Sequence, residues 1–321
     1  MGGAPALRSP RKLDIAVPAL LIAMIIWGGT YVVTKVALPD IGPFTILFIR
    51  LVLGTAALLP FAWRQGFRPR LSFQRRFVLF GLTGMVLHLG FEILGLRFTS
   101  ASSAVLIIAT APVVTLAFSI LFLKERVTRR QLAGIALSIV GVGLITGAQA
   151  ARGYPLSWLG NLLVFAGVVT WGVFTVQGKR IADSQSWIVS TTAATGAAIL
   201  MSAPLAAIEI AIQGAPSVTT GGILAVVYLG VAAQAVAYGL WNFALEHVDA
   251  SVAGPYVNLV PVVGVVLALS TGETMTGLQW LGGLTVAAGV WLNHRRATGR
   301  RLAAARVMGS GGRVLGWMKA R

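Results

Sequence analysis

Long apolar stretches dominate the chain, and short segments rich in charges, prolines or glycines separate them. A helix needs about 20 apolar residues to cross the hydrocarbon of a bilayer, and ten stretches come near that length. Strict alternation of apolar and polar residues, the pattern of a membrane barrel, is not found. The pattern therefore predicts ten membrane-spanning helices, over residues 15–37, 43–63, 77–97, 102–123, 131–148, 158–178, 187–208, 221–245, 252–270 and 277–293.

The basic residues are distributed unevenly between the segments that connect these helices. With a cytoplasmic N-terminus, the segments on the cytoplasmic side carry 22 Lys and Arg residues, whereas those on the other side carry only Lys35, Arg97 and Arg152. Basic residues concentrate on the cytoplasmic side of membrane proteins. The distribution predicts an all-α, multi-pass protein of the plasma (inner) membrane, with both termini in the cytoplasm.

Composition supports this class and removes others. Of the 321 residues, 56% are hydrophobic and 11% are charged, and the mean hydropathy is +0.83. Such a chain cannot cover a globule of this size with charged surface, so we exclude a soluble domain and a disordered chain. The net charge of +17 comes from basic residues in the cytoplasmic segments, so no nucleic-acid partner is expected. There is no cysteine, and we expect neither a cofactor nor a metal site.

The two halves of the sequence repeat one another. Each half would contain five helices, an odd number, so the halves would cross the membrane in opposite directions. Inverted repeats of this kind are a transporter architecture, with the substrate site at the interface of the halves near the bilayer midplane. The predicted divisions are an N-terminal segment 1–14, a first repeat 15–148, a linker 149–157, a second repeat 158–293 and a basic tail 294–321. The matched positions are Trp27-Gly28 with Trp171-Gly172, Lys35 with Lys179, Ala101-Ser102 with Ala250-Ser251, Pro112 with Pro261, Glu125 with Glu273, and Gly141 with Gly289.

These repeated motifs resemble a known family. Residues 125–131 leading to Gly141, and 273–279 leading to Gly289, resemble the end of an EamA domain, and Trp27 to Arg50 resembles its start. The chain is similar to ten-helix members of the drug/metabolite transporter superfamily, with two tandem copies over about 15–293. The resemblance implies an integral carrier, commonly an inner-membrane exporter of amino acids, metabolites or toxic compounds. It also implies a central cavity lined mainly by helices 1, 3, 4, 6, 8 and 9. The second half lacks a counterpart of Arg50, so any role of Arg50 belongs to one half.

Arg50, His88 and Glu92 lie well inside the predicted spans, away from their ends. Arg50 in helix 2 and Glu92 in helix 3 come out at about the same depth, about 10 Å below the outer boundary at 1.5 Å per residue, and His88 shares a helix face with Glu92. One interpretation is a structural Arg50–Glu92 ion pair with His88 as a supporting hydrogen bonder. The other is a gate or proton-sensitive site in which His88 and Glu92 titrate during transport.

Aromatic and polar side chains inside the spans indicate a cavity. Trp27 and Trp171 occupy equivalent places in the two repeats, and they either line the cavity or fill the core. Pro112 and Pro261 bend equivalent helices, either beside the cavity or as static kinks. Polar residues of helices 8 and 9 avoid lipid because facing it is costly. The substrate-cavity candidates are Trp27, His88, Trp171, Gln234, Tyr238, Trp241, Tyr256 and Asn258.

Small residues mark the predicted helices 5 and 10. Gly134, Ser138 and Gly141 form a face that permits close helix contact, as do Gly282 and Gly289. We interpret these helices as scaffold, and a homodimer through them stays open. The basic tail either lies on anionic lipid or is solvated and only fixes the orientation.

The function predicted from the sequence is secondary transport of a small organic solute, most simply export by alternating access. The alternatives are a channel or a lipid scramblase on the same fold, and, with less support, an intramembrane enzyme. An enzyme is disfavoured because His88 and Glu92 are the only plausible acid–base pair inside a span. The aromatic residues favour an amphipathic solute such as an amino acid, whereas Arg50 and Lys35 favour an anionic one.

Overall fold

The computed structural model describes residues 10–114, 117–118, 128–150, 156–181, 186–247 and 254–292 of the chain. Within these ranges the regular structure is helical and no strand occurs. Seven helices are long and apolar enough to cross a membrane, and three shorter apolar helices accompany them. The basic tail 294–321, most of the linker 149–157 and the end of the predicted fourth span lie outside the described residues.

The helices follow the predicted apolar stretches closely. Their bounds differ from the prediction by a few residues, mainly because polar residues at the ends of α1, α6 and α7 continue the helix. The helices of the first half are α1 (Pro10–Ala37), α2 (Pro43–Arg64), α3 (Arg75–Leu96), α4 (Ala101–Val114) and α5 (Arg129–Ala150). Those of the second half are α6 (Ser157–Ile181), α7 (Trp187–Gln213), α8 (220–247), α9 (Tyr256–Ser270) and α10 (Gly277–Leu292).

Local sequence signals account for several helix ends. The side-chain oxygens of Ser100, Ser186 and Thr219 accept backbone N–H groups in the first turns of α4, α7 and α8, as residues at the N-cap commonly do. Gly214 and Gly272 follow α7 and α9 with φ of 88° and 91°. Because only glycine adopts this backbone conformation without strain, these two residues let the chain leave the helix.

Two of the helices contain a π-helical segment at corresponding places in the two halves. In α3 it covers Leu82–Leu87, and in α8 it covers Tyr228–Ala237. Such segments are rare and occur often at functional sites. Here each π-helical segment directly precedes a predicted cavity residue, His88 in α3 and Tyr238 in α8.

The helices of the two halves pair in a symmetrical way. Helices of equal rank lie against each other, α2 against α7 and α4 against α9. The first helix of each half packs on the third helix of the other half, α1 on α8 and α6 on α3. This pairing is the one that two repeats related by a twofold axis require, and it is consistent with the inverted repeat that the sequence predicts.

The small-residue faces of α5 and α10 are in contact with each other. A Cβ added at Gly141 would lie 2.7 Å from the Gly282 carbonyl oxygen, and one added at Gly289 would lie 2.6 Å from the Gly134 carbonyl oxygen. The two backbones therefore approach as closely as glycine allows. These glycine faces contact each other within one chain, and a homodimer through other faces of α5 and α10 stays open.

We expect Gly141→Ala to destabilise the protein, because the new methyl group would meet the Gly282 carbonyl and the Val286 backbone nitrogen, 2.9 Å away. Overpacking of this kind costs about 1–3 kcal/mol. The matched control is Gly143→Ala in the same helix, where a Cβ meets nothing within 4 Å and helix propensity favours alanine by up to about 1 kcal/mol. The measurement is the thermal unfolding midpoint in detergent. Equal midpoints for the two variants would contradict the α5–α10 contact.

Candidate functional site

A cavity of about 110 Å³ lies between the two halves of the molecule. This is several times the space that one water requires, about 10–15 Å³. All six helices that the resemblance implied, α1, α3, α4, α6, α8 and α9, contribute to its wall, and α2 adds Arg50. The predicted residues that line it are Trp27, Arg50, His88, Glu92, Pro112, Trp171, Tyr238, Trp241, Asn258 and Pro261.

One part of the wall is an aromatic cluster that joins α1 to α8. The ring of Trp27 meets the ring of Tyr238 edge-on, with centroids 5.0 Å apart, and the ring of Trp241 at 5.8 Å. The indole N–H of Trp27 donates to the Ala233 carbonyl oxygen at 3.2 Å. Ala233 lies in the π-helical segment of α8, so this irregular turn supplies the acceptor that fixes the ring of Trp27 at the cavity wall.

A second aromatic cluster joins α6 to α3. The ring of Trp171 lies 4.9 Å from that of His88 and 5.2 Å from that of Phe174, which stacks on Phe80 at 4.2 Å. Trp27 and Trp171 thus play matching parts: each comes from the first helix of its half and packs on the third helix of the other half. Both rings line the cavity.

Glu92 has two polar neighbours on the cavity wall, Tyr31 of α1 and His88 of its own helix. The Tyr31 hydroxyl donates to Glu92 Oε1 at 3.3 Å, and His88 Nε2 lies 3.9 Å from the same oxygen. His88 Nδ1 lies 2.9 Å from the Gly167 carbonyl oxygen; a carbonyl only accepts, so Nδ1 carries a proton. Nε2 therefore faces Glu92 either with a lone pair or with a second proton.

Arg50 does not form the ion pair that the sequence suggested. Its side chain is 5% exposed and its Nε has no hydrogen-bond partner. Among the described residues, the pair within 4.0 Å is His88 with Glu92, and Arg50 acts on Glu92 only through space. The position of each residue along its helix predicted that both side chains lie at the same depth. It could not predict how α2 and α3 are rotated about their axes. In the structure Tyr31 and His88 lie beside Glu92 Oε1, and Arg50 does not.

Two predicted cavity residues lie elsewhere. Gln234 is fully buried beside Gly54 of α2, with its Nε2 at 3.5 Å from the sulfur of Met85. Tyr256 packs against apolar residues of α1 and α8 such as Leu20 and Ala244. Gln234 lies four residues before Tyr238, and in a regular α-helix this spacing places both side chains on one face, which is why Gln234 was predicted at the cavity. The π-helical segment Tyr228–Ala237 changes that spacing.

Tyr31 and Thr30 line the cavity although neither was assigned to it. A signal for Tyr31 was present in the sequence, because it lies four residues after Trp27 and therefore on the same helix face. A hydroxyl that reaches an intramembrane carboxylate is the kind of partner that such a group needs.

Polar contacts between loops and helix ends close one end of the molecule, which we name the capped end (residues 35–45, 96–103, 209–219 and 271–279). Lys35 Nζ donates to the carbonyl oxygens of Leu96 and Thr99, at 2.9 and 3.0 Å, where α3 ends. Lys35 is thus engaged outside the cavity lining, which removes it as a cavity cation. A cation at the C-terminal end of a helix compensates the helix dipole.

Two carboxylates of the second half cap helices of the first half at this end. Glu273 accepts the backbone N–H groups of Ala101 and Ser102 at 2.9 and 3.0 Å. Buried Glu209 accepts the N–H groups of Phe44 and Thr45 at 3.2 and 2.8 Å. Each negative charge lies at a positive helix N-terminus, so these contacts hold the two halves together. The repeat equivalent of Glu273, Glu125, lies outside the described residues.

Comparison with known proteins gives matches along most of the chain. Residues 14–147 and 158–295 both match the EamA-like transporter family. The family match thus occurs twice along the chain, as the resemblance to two tandem copies implies.

Several curated relatives cover most of the chain. A "probable terminal-alkyne amino-acid exporter" of Streptantibioticus cattleyicolor is 30% identical over 90% of this chain and 97% of its own. A "probable amino-acid metabolite efflux pump" of Salmonella typhimurium is 28% identical over 85% of this chain and 92% of its own. An uncharacterized inner membrane transporter of Escherichia coli is 29% identical over 82% and 85%. A crystal structure with 21% identity covers 90% of this chain and 99% of its own at a TM-score of 0.60, which shows the shared fold.

Proposed function

The chain belongs to the EamA-like transporter family, which it matches in two repeats, and we propose that it is a secondary carrier that exports a small organic solute across the inner membrane. The observation that carries the proposal is the cavity, a single space whose wall is shared by both repeats. Carriers with inverted repeats bind their substrate at this interface. The names of the relatives, an exporter and an efflux pump, support the outward direction.

Transport in this proposal proceeds by alternating access of ten spans with both termini in the cytoplasm. The capped end is then the outer end, closed in this structure by Lys35, Glu209 and Glu273. Solute enters the cavity from the cytoplasmic end, and the halves then separate at the capped end and close at the other. A polar hollow of about 200 Å³ lies at the capped end beside Glu209, where an exit path would begin.

The lining favours an amino acid or a related amphipathic metabolite or drug-like compound as the solute. Trp27, Trp171 and Tyr238 offer apolar faces to a side chain or ring, and Arg50 and Glu92 offer one charge of each sign. Pockets that bind small molecules combine a mostly apolar lining with a few placed polar groups. Two of the relatives carry amino-acid export in their names, which supports the same class.

The interface cavity can be tested by counterflow in proteoliposomes with a panel of amino acids, nucleosides and organic cations. We expect Trp27→Ala and Trp171→Ala each to lower the exchange rate of the transported solute by about tenfold or more, equivalent to about 1.4 kcal/mol. The matched control is Trp158→Ala in α6, whose side chain is 51% exposed at the helix start. Normal exchange by both cavity variants would refute the assignment, and conduction at rates beyond a carrier without counterflow would favour a channel.

Proton coupling at His88 is a second element of the proposal. His88 Nε2 faces Glu92 at 3.9 Å, and the other ionisable groups around that carboxylate are Tyr31 of α1, Arg50 of α2 and Tyr238 of α8. Protonation of His88 would add a positive charge beside Glu92.

We expect His88→Gln to flatten the pH dependence of transport, because glutamine keeps a donor for the Gly167 carbonyl but cannot take up a proton. The measurement is the initial exchange rate of wild type and variant as a function of pH. An unchanged rate and an unchanged pH profile would leave His88 as a structural hydrogen bonder only.

A further inference from the structure

We propose that Arg50 and Glu92 form a dipolar recognition site for a free α-amino acid, with the solute carboxylate on the Arg50 guanidinium and its ammonium at the Glu92 carboxylate. The inference rests on the proposed transport function and deepens it, because it defines the charge pattern of the solute. It starts from one observation that the fold itself does not explain, a buried arginine whose Nε lacks a partner.

Arg50 has the properties of a binding group for an anion. Its side chain is 5% exposed, lines the cavity, and has no carboxylate within 4.0 Å among the described residues. A buried charge without a partner is strongly destabilising, so such a charge is retained where something else neutralises it. The guanidinium presents its donors in a planar fork that matches the two oxygens of a carboxylate. A solute carboxylate would supply the acceptors that Arg50 lacks.

Glu92 is pre-arranged to receive a cation from the same cavity. The contacts that the structure describes for its carboxylate, from the Tyr31 hydroxyl and His88 Nε2, both involve Oε1. Oε2 therefore remains for a ligand among the described residues. The position of the Glu92 side chain is fixed by α6, which approaches so closely that a Cβ added at Gly167 would lie 3.2 Å from Glu92 Cγ.

The separation of the two charges is the feature that selects a zwitterion. Arg50 and Glu92 line one cavity and act on each other through space, yet they do not close into an ion pair. An α-amino acid carries its carboxylate and its ammonium on the same carbon atom, so one small molecule can meet both side chains. The rings of Trp27, Trp171 and Tyr238 then face its side chain, and they can also contact the ammonium through their π faces.

A solute with only one of the two charges would leave either the Arg50 guanidinium without an acceptor or Glu92 Oε2 without a donor. Loss of one partner from a buried polar contact costs more than the contact contributes, because the remaining group stays desolvated. The site should therefore discriminate against both an amine and a carboxylic acid that share the side chain of a transported amino acid. A site for anions alone, which Arg50 without Glu92 would provide, accepts the carboxylic acid equally well.

The first experiment uses the wild-type protein and matched solutes. Counterflow in proteoliposomes compares phenylalanine with phenethylamine and 3-phenylpropionate, and leucine with isoamylamine and 4-methylpentanoate. We expect at least one of the two amino acids to exchange about tenfold or more faster than both of its single-charge analogues. Equal exchange of an amino acid and either analogue would overturn the inference, as would exchange of other solutes with none of these six. Absence of counterflow for every solute tested would instead contradict the proposed function.

The second experiment assigns each charge to its residue. We expect Arg50→Gln to lower exchange of the amino acid about tenfold or more and to shift the preference towards the amine, and Glu92→Gln to shift it towards the carboxylic acid. Arg50→Lys should keep part of the activity because the charge remains. Arg64→Gln is the matched control, since Arg64 is exposed at the end of the same helix. Variants with wild-type unfolding midpoints that slow all three solutes equally would show a structural role and overturn the assignment.

Discussion

The cost of a charge inside a bilayer shapes this molecule more than any other constraint, because hydrocarbon offers no water to an ion. The charges within the helical body meet this cost in two ways. Lys35, Glu209 and Glu273 are placed against free backbone groups at helix ends, where the helix dipole has the opposite sign. Arg50 and Glu92 instead face a cavity between the repeats. Within the first group, Glu209 and Glu273 join the two halves, and in the proposed mechanism the second group interacts with the solute.

The internal repeat lets one fold combine charges that cap helix ends with charges that face the cavity. Three pairs of helices of equal rank, α2 with α7, α4 with α9 and α5 with α10, lie together across the interface, and glycines let two backbones touch at Gly141 and Gly282. The π-helical segments of α3 and α8 occupy corresponding places beside the cavity, and the one in α8 presents the acceptor for Trp27. Closely packed helices thus surround a cavity beside which the backbones of α3 and α8 depart from a regular α-helix.

Most of the fold could be predicted from the sequence, but the rotation of each helix about its own axis could not. Apolar length and the repeat predicted where the helices lie, and the paired positions of Trp27 and Trp171 predicted two rings that the structure has at the cavity wall. Depth along a helix could not predict that Arg50 and Glu92 stay apart, since this depends on how α2 and α3 turn about their axes. The π-helical segment of α8 changed the face on which Gln234 lies. The spacing of Tyr31 from Trp27, four residues, would have placed Tyr31 on the same helix face and so at the cavity.

In the proposed transport cycle the capped end must open for a solute to leave, and the absence of native cysteine allows a direct measurement of that opening. The Asp40 carboxylate accepts the Thr219 hydroxyl and thereby links the two halves there. Counterflow should be measured with Asp40→Cys/Thr219→Cys before and after oxidation, with each single-cysteine variant as control. We expect the cross-linked protein to lose exchange and reduction to restore it. A fully cross-linked protein that exchanges as fast as the same protein with reduced cysteines would show that the capped end need not open.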